Sequence, residues 1–169
     1  MQSGFPVRKH PRLKEYNYGL NGAYFITICV KNKQHLLGEI VGRDVHIAPV
    51  VRLSKYGIIV DKHINLINSL GNGATVDKYV IMPNHIHMII MLERETQCGV
   101  GGAMRTSRPT TIPNLVRSFK TMVSKEAGFS LWQTSYHDHI IRNHDDYREI
   151  WQYIDENPLK WEQDKYYCE

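Results

Sequence analysis

From Lys78 to Leu92 the chain reads Lys-Tyr-Val-Ile-Met-Pro-Asn-His-Ile-His-Met-Ile-Ile-Met-Leu. Two apolar, β-branched runs interrupted by Pro83-Asn84 predict two strands joined by a tight turn. Because side chains alternate along a strand, His85 and His87 point to the same face, with Cα atoms roughly 6.5 Å apart. Two neutral imidazoles held by a rigid strand can bind a divalent metal ion, although a half-exposed strand carrying two histidines gives the same pattern.

Further strands are predicted outside this stretch by β-branched and aromatic runs. They are Tyr24–Val30, a hairpin of Leu36–Val41 and Val45–Val51 joined through Gly42-Arg43-Asp44, and a last strand from Trp132 to Ile141.

Helical periodicity appears three times. The first helix has an apolar stripe of Leu53, Gly57, Val60, Ile64 and Ile67 and ends near Gly71. The second is predicted to be capped by Thr111, with Pro113 in its first turn and Gly128 at its end. Its stripe consists of Leu115, Phe119, Met122 and Val123. The third follows Asn143 and runs through Glu156.

The order of these elements predicts the fold class. Without the hairpin and the last helix, the order is βαββαβ, which is typical of an α+β, ferredoxin-like domain. We therefore expect an antiparallel sheet with two helices on one face and Tyr24–Val30 and His85–Leu92 at its centre. The chain is interpreted as one domain spanning 1–169, with a basic N-terminal arm at 1–22 and a flexible, Gly-rich loop at 93–110.

The last helix carries a second polar pair. At 100° per residue, Tyr147, Ile150, Trp151 and Ile154 form its core stripe. Tyr153 lies on the flank of this stripe, and Asn157 follows it by one turn. A flank tyrosine often only covers the edge of a core, and an asparagine before Pro158 often only ends a helix. The pairing of a hydroxyl with an amide at i+4 nevertheless makes Tyr153 a candidate nucleophile beside a metal ion.

Composition argues against a disordered chain, a membrane-spanning protein and a disulfide-rich protein. Apolar and charged fractions of 42% and 22% are typical of a soluble globular chain, and no apolar run is long enough to span a bilayer. The cysteines (Cys29, Cys98 and Cys168) have no CxxC spacing, which favours the cytoplasm over a disulfide framework. The net charge of +4 conceals two basic segments without acids, 1–14 and 99–125, which are compatible with a polyanion partner.

A family resemblance connects these observations. Met82-Pro-Asn-His-Ile-His87 followed by Tyr153-Ile-x-x-Asn-Pro158 resembles the HUH single-tyrosine transposases of the IS200-like type. Further matches (Gly22-Ala-Tyr-Phe-Ile-Thr27, Ser118-Phe-Lys120, Leu131-Trp-Gln133 and Tyr136-x-x-x-Ile-Ile-Arg142) are similar to the REP-associated branch. The resemblance covers nearly the whole chain and implies the ferredoxin-like core that the element order predicts independently.

The resemblance also implies residue roles. His85 and His87 would hold Mg²⁺ or Mn²⁺, and Tyr153 would attack a DNA phosphate to form a 5′-phosphotyrosine. Asn157 stands where insertion-sequence relatives have a glutamine as third metal ligand. Asparagine, which is one methylene shorter than glutamine, is the departure from the family pattern at this position. The implied protein is bacterial and cytoplasmic, and associates with the nucleoid when bound to DNA.

The implied partner is single-stranded, hairpin-forming DNA. Candidate phosphate contacts are basic residues of the arm, the loop and the second helix: Arg8, Lys9, Arg12, Arg105, Arg108, Arg117 and Lys120. No membrane partner is expected. A monomer is favoured, with the alternative of a homodimer in which the tyrosine helix reaches the partner's histidines.

Two other functions fit part of the pattern. A DNA-binding regulator could keep the fold without cleavage, and a metal-dependent hydrolase could act through water without needing Tyr153. Tyr136 and Tyr147 are alternative nucleophiles, but neither has an amide at i+4. His137 and His139 could form a second same-face pair, although the Ile-Ile-Arg that follows is typical of an ordinary surface strand.

Overall fold

A computed structural model describes residues 16–42, 48–93 and 110–167. In chain order the strands and helices are β1 (Gly22–Cys29), β2 (Gly38–Val41), β3 (Val50–Leu53), α1 (Lys55–Ser69), β4 (Ala74–Met82), β5 (His85–Leu92), α2 (Ile112–Ala127), β6 (His137–Ile141) and α3 (His144–Glu156). Short 3₁₀ turns occupy Lys31–Lys33 and Trp161–Gln163. Most of the predicted arm and loop lies outside the described residues, so the single-domain boundaries stay a prediction.

Four strands form the main sheet in the order β4-β5-β1-β6, and every neighbouring pair is antiparallel. The predicted α+β, ferredoxin-like arrangement is confirmed, with β5 and β1 at the centre. Strand register places Thr27 opposite His87 and Cys29 opposite His85. A separate two-stranded sheet of β2 and β3 is the additional hairpin.

The two faces of the sheet have different roles because side chains alternate along each strand. Ile86, Met88 and Ile90 of β5 are buried in the hydrophobic core together with residues of α1 and α2. His85 and His87 therefore lie on the opposite face, where α3 contacts β4 and β5. The fold thus separates a packing face from a face that carries the polar site.

The segment before α1 differs from the prediction. Leu53 ends β3 instead of starting the helix, because the side chain of Ser54 accepts hydrogen bonds from the backbone N–H groups of Tyr56 and Gly57. This N-cap places the helix start at Lys55. Gly57 faces the preceding chain so closely that an added Cβ would lie 2.0 Å from the carbonyl oxygen of Leu37.

The predicted limits of α2 are confirmed. Thr111 caps its first turn by accepting from the backbone of Asn114, and Pro113 lies in that turn. Gly128 ends it with a φ of 86°, a left-handed conformation that glycine adopts without steric cost.

Several predicted strand limits are wrong. The second hairpin strand is Val50–Leu53 rather than Val45–Val51, of which 45–47 lie outside the described residues. The last strand starts at His137, not Trp132, which forms only an isolated bridge with Val30. The intervening carbonyls of Gln133 and Thr134 accept hydrogen bonds from the Lys120 ammonium instead of a neighbouring strand.

Helix α3 is held against β4 by specific contacts. Asn143 caps it by accepting from the backbone of Asp146 at 2.8 Å. Tyr147 donates a hydrogen bond to Asp77, and Lys78 forms an ion pair with Asp155 at 2.5 Å. The Lys78 ammonium also lies 4.5 Å from the centre of the Trp151 ring. These contacts set the rotation of α3 and so the direction in which Tyr153 points.

Within the described ranges, the helices are all too short or too polar to cross a membrane.

Candidate active site on the outer face of the sheet

The two histidines of β5 lie at the centre of the site. His85 and His87 have no exposed surface, and their Nε2 atoms are 2.9 Å apart. Strand geometry makes this approach possible, because residues i and i+2 share one face. The structure therefore brings together the pair that the sequence singled out.

Asn84 fixes the orientation of the His85 ring. Its Nδ2 donates to the backbone carbonyls of Tyr166 at 2.9 Å and Lys33 at 3.3 Å. Its Oδ1 therefore faces Nδ1 of His85 at 2.8 Å and accepts a hydrogen bond from it. With the proton on Nδ1, Nε2 of His85 presents its lone pair to the site.

Thr27 plays the corresponding role for His87. Its hydroxyl lies 2.8 Å from Nδ1 of His87 and is itself buried. A hydroxyl can donate or accept, so His87 can carry its proton on either nitrogen. Nδ1–H toward Thr27 leaves both Nε2 lone pairs facing each other at 2.9 Å. That arrangement is favourable when a cation binds both atoms.

Tyr153 and Asn157 reach the same site from α3. The Tyr153 hydroxyl lies 3.2 Å from Nε2 of His87 and donates to Asp164 at 3.0 Å. Asn157 is buried, and its Nδ2 donates to the same carboxylate oxygen at 2.8 Å. Its Oδ1 is buried and has no hydrogen-bond partner among the described residues.

Asp164 is the site residue that the sequence did not reveal. Its carboxylate and the ring nitrogens of His85 and His87 all lie within 4.8 Å of one another. It follows the Trp161–Gln163 turn, where no helical or strand period predicts which way a side chain points. The only signal available was an acidic residue a few positions after the tyrosine helix.

The segment that carries Asp164 also covers the histidines. The Tyr166 ring lies 4.7 Å from that of His85 and 5.7 Å from that of His87, measured between centroids. Trp161 stacks on His85 at 5.9 Å. Asp164 supports this arrangement by accepting from the backbone of Tyr166. The chain from Trp161 to Tyr166 thus closes the site on the side away from the sheet.

Burial determines the protonation states of the site. Desolvation lowers the pKa of His85 to about 4, against a smaller raising effect of Asp164. The pKa of His87 is lowered by its complete burial and then by His85. Burial followed by the Asp164 carboxylate raises the pKa of Tyr153. At neutral pH both imidazoles are therefore neutral, as metal ligation requires, and the phenol keeps its proton.

The donor set fits a divalent cation. It contains two neutral imidazole nitrogens and one carboxylate, whose ligand atoms lie within 4.8 Å of one another. The nearby Asn157, bound to Asp164 through Nδ2, adds a buried amide oxygen that has no hydrogen-bond partner among the described residues. Mixed nitrogen and oxygen ligands of this kind suit Mn²⁺, and the oxygen donors suit Mg²⁺.

The remaining predicted site residues lie elsewhere. Arg117 is exposed on α2, and the Lys120 ammonium is bound to two backbone carbonyls. Arg8, Lys9, Arg12, Arg105 and Arg108 lie outside the described residues. Of the alternative groups, Tyr147 bonds to Asp77 and His139 pairs with Asp146 at 2.9 Å.

Comparison with known proteins identifies the family. The family model of IS200-like transposases matches residues 21–157. An uncharacterized protein of Haemophilus influenzae is 36% identical over 180 residues, covering 99% of this chain and 97% of its own length.

One solved structure shares the fold, and a second is similar to a lesser degree. A REP-associated tyrosine transposase bound to a REP hairpin is 20% identical with a TM-score of 0.62, over 91% of this chain and 77% of that protein. A putative transposase from Deinococcus radiodurans is 17% identical over 85% of this chain and 95% of that protein, with a TM-score of 0.45. The family model matches most of the chain, and the sequence motifs agree with it. The chain therefore belongs to the IS200-like transposase family.

Proposed function

We propose that this transposase cuts and rejoins single-stranded DNA through a covalent 5′-phosphotyrosine on Tyr153. The observation that carries the proposal is the position of the Tyr153 hydroxyl, 3.2 Å from His87 Nε2 and 3.0 Å from Asp164. Covalent catalysis needs a nucleophile that lies close to the groups that position its target, and the Tyr153 hydroxyl lies within hydrogen-bond distance of these groups.

His85, His87 and Asp164 would hold the divalent ion, Mg²⁺ or Mn²⁺, with Oδ1 of Asn157 as a further donor. When bound there, the ion supplies Lewis-acid chemistry by withdrawing charge from an oxygen of the scissile phosphate. Asn84 and Thr27 contribute by keeping the two imidazoles in the orientation that presents Nε2.

The chemical step uses the Tyr153 hydroxyl. Its oxygen bonds to phosphorus while the bond from phosphorus to the 3′ oxygen breaks, which leaves the 5′ phosphate on tyrosine. The departing 3′ oxygen takes a proton from solvent water and becomes a free 3′-hydroxyl. Asp164 already accepts the hydroxyl hydrogen at 3.0 Å and is placed to receive the proton. Because the phosphodiester energy is retained, the 3′-hydroxyl of another strand can reverse the step and rejoin DNA.

The aromatic rings that cover the histidines have to move for this reaction to occur. The imidazoles have no exposed surface while Trp161 and Tyr166 lie against them. A phosphate therefore reaches the histidines only when the covering rings are displaced. A movement of the backbone at Tyr166 would also break its hydrogen bonds with Asp164 and Asn84.

The proposed substrate is a hairpin-forming single strand, and the proposed active species is a monomer of the REP-associated branch. Support for the hairpin substrate comes from the sequence motifs and from the similar fold of a REP-associated tyrosine transposase that is bound to a REP hairpin. Phosphate contacts are proposed for the basic residues predicted above: Arg8, Lys9, Arg12, Arg105, Arg108, Arg117 and Lys120. The Lys120 ammonium would exchange its carbonyl partners for a phosphate.

A labelled single-stranded hairpin incubated with the protein and Mg²⁺ or Mn²⁺ tests the proposal. We expect a covalent adduct on a denaturing gel that disappears in Tyr153→Phe and His85→Ala. Tyr56→Phe is the matched control, because Tyr56 lies on α1 and its ring contacts Phe129 rather than the histidines. Tight binding of the hairpin without an adduct under either metal would instead favour a DNA-binding regulator. Cleavage by Tyr153→Phe without an adduct would favour a hydrolase.

A further inference from the structure

A cleft of about 600 Å³ opens beside the nucleophile. It is bordered by β1, β6, α3 and the C-terminal segment, and Tyr153, Asn157 and Asp164 belong to its wall. The cleft is thus continuous with the candidate active site. Its volume lies within the range of pockets that bind small organic groups.

Phe25 and Ile150 give this cleft an apolar floor. Phe25 is half-buried, whereas its strand neighbours Tyr24 and Ile26 are fully buried on the core face. Strand register places Phe25 between Ile89 and His139. An aromatic side chain is therefore held on the outer face of the sheet by a central strand, with part of its surface open to the cleft.

The Phe25 ring is fixed by contacts with two active-site residues. It stacks on His87 with centroids 5.2 Å apart and planes inclined by 28°. It also meets Tyr153 edge to face, with centroids 6.0 Å apart and an interplanar angle of 87°. Because both neighbours are part of the candidate active site, a group resting on Phe25 lies next to the reacting phosphate.

The polar groups of the wall discriminate between the parts of a nucleotide. Asp146, Glu149 and Glu156 line the cleft, and carboxylates accept hydrogen bonds from exocyclic amines and ring N–H groups. Asp146 also binds His139 and Glu156 binds Lys160, so the charges of these two carboxylates are partly neutralised. Lys165, which follows Asp164 in the chain, also lines the cleft and offers an ammonium group to a DNA backbone. The apolar floor and the hydrogen-bond acceptors of the wall therefore suit a base inside the cleft better than a phosphate.

We propose that this cleft binds the unpaired nucleobase next to the scissile phosphate, with Phe25 as the platform on which the base stacks. The proposal rests on the proposed function, since it assumes a single-stranded substrate at Tyr153. Aromatic platforms suit unpaired DNA because every base offers a π face. A base held there would fix the phosphate relative to the Tyr153 hydroxyl.

The test uses hairpin oligonucleotides with a single-stranded oligo(dT) tail, each carrying one 2-aminopurine at a different tail position. Stacking quenches 2-aminopurine fluorescence. At one or two positions we expect wild type and Phe25→Tyr to quench the probe strongly, and Phe25→Leu, which is apolar but not aromatic, to lose the quenching. Phe25→Leu should also bind these oligonucleotides about 5- to 100-fold more weakly.

Phe129→Leu is the matched control, because Phe129 is 40% exposed and contacts Tyr56 rather than the site. It should quench and bind like wild type. If Phe25→Leu keeps the wild-type unfolding temperature, its loss of quenching is due to lost stacking and not to unfolding. Phe25→Tyr keeps an aromatic ring and serves as the comparison if Phe25→Leu is unstable.

If Phe25→Leu quenches the probe and binds the oligonucleotide as wild type does at every position, Phe25 is not the platform on which the base stacks. Adduct formation by wild type in the same samples reports on the proposed function separately. An adduct with unchanged quenching in Phe25→Leu refutes the platform alone, whereas absence of any adduct from wild type refutes the proposed function even when the probe is quenched.

Discussion

The hydroxyl of Tyr153 lies 3.2 Å from Nε2 of His87, although 66 residues separate them in the chain. The contact depends on α3 lying across β4 and β5, where Lys78 binds Asp155 and Trp151. A strand supplies the imidazole, and the flank of a helix supplies the phenol. Neither element positions the pair without the other, so the site is a product of the tertiary fold.

Asp164 is expected to be a metal ligand in its own right. Asp164→Asn keeps the size of the side chain but removes its charge, and it should weaken Mn²⁺ binding by about tenfold or more, measured by calorimetry. Asp145→Asn is the control, because Asp145 is exposed at the start of α3 and pairs with Arg148. Equal affinity of Asp164→Asn and wild type would remove Asp164 from the ligand set.

Thr27 is expected to act through the orientation of His87. Thr27→Val removes the hydroxyl that lies 2.8 Å from Nδ1 while nearly preserving shape. Loss of such an outer contact should reduce Mn²⁺ affinity by about 10- to 100-fold. Thr27→Ser keeps the hydroxyl and should recover most of the affinity. If Thr27→Val binds Mn²⁺ as wild type does, the hydroxyl has no part in holding the ring.

Acid should destabilise the metal-free protein through the buried histidines. The pKa of His85 is lowered to about 4 in the folded state from an ordinary value of 6.5, so between these values the unfolded chain binds more protons. Stability is therefore fully present above pH 6.5 and is lost as the pH falls toward 4, by a few kcal/mol.

Urea unfolding with a chelator present, at several pH values between 7 and 4.5, measures this effect. The double variant His85→Gln, His87→Gln lacks both titrating rings, and its stability should depend less on pH in that range. Parallel pH profiles for wild type and the double variant would contradict the assignment.

Gly57 should be intolerant of any side chain. A Cβ there would lie 2.0 Å from the Leu37 carbonyl oxygen, which accepts from the backbone of Ser54. The Leu37 N–H in turn donates to the carbonyl of Pro83, beside Asn84. Gly57→Ala should lower the free energy of unfolding by about 1–3 kcal/mol. Ile58→Ala is the control, since Ile58 is 60% exposed, and a similar loss in both variants would contradict the steric explanation.

Local signals made much of the fold predictable. Thr111, Pro113 and Gly128 act within one turn of α2, so its limits follow from chemistry that the sequence states directly. The apolar runs on either side of Pro83-Asn84 likewise specify β4, β5 and the shared face of His85 and His87. The prediction that Tyr153 and Asn157 project together depended only on helical spacing.

The features that escaped prediction depend on distant contacts. The last strand begins late because the Lys120 ammonium, on another element, takes the carbonyls of Gln133 and Thr134. Asp164 joins the site because the chain turns back after α3 and the Tyr166 carbonyl binds Asn84 at 2.9 Å. No local period encodes such a return, so the sequence predicts the grouping of His85, His87 and Tyr153 but not the approach of Asp164.

Locating the covalent bond to DNA tests the role of Tyr153 as nucleophile without relying on a gel shift. Wild-type protein is incubated with a single-stranded hairpin and Mn²⁺, digested with protease and nuclease, and analysed by mass spectrometry. We predict a nucleotide attached through its 5′ phosphate to the peptide that contains Tyr153, and to no peptide in the Tyr153→Phe variant. A nucleotide on the Tyr136 or Tyr147 peptide, or cleaved DNA without any modified peptide, would contradict the central claim.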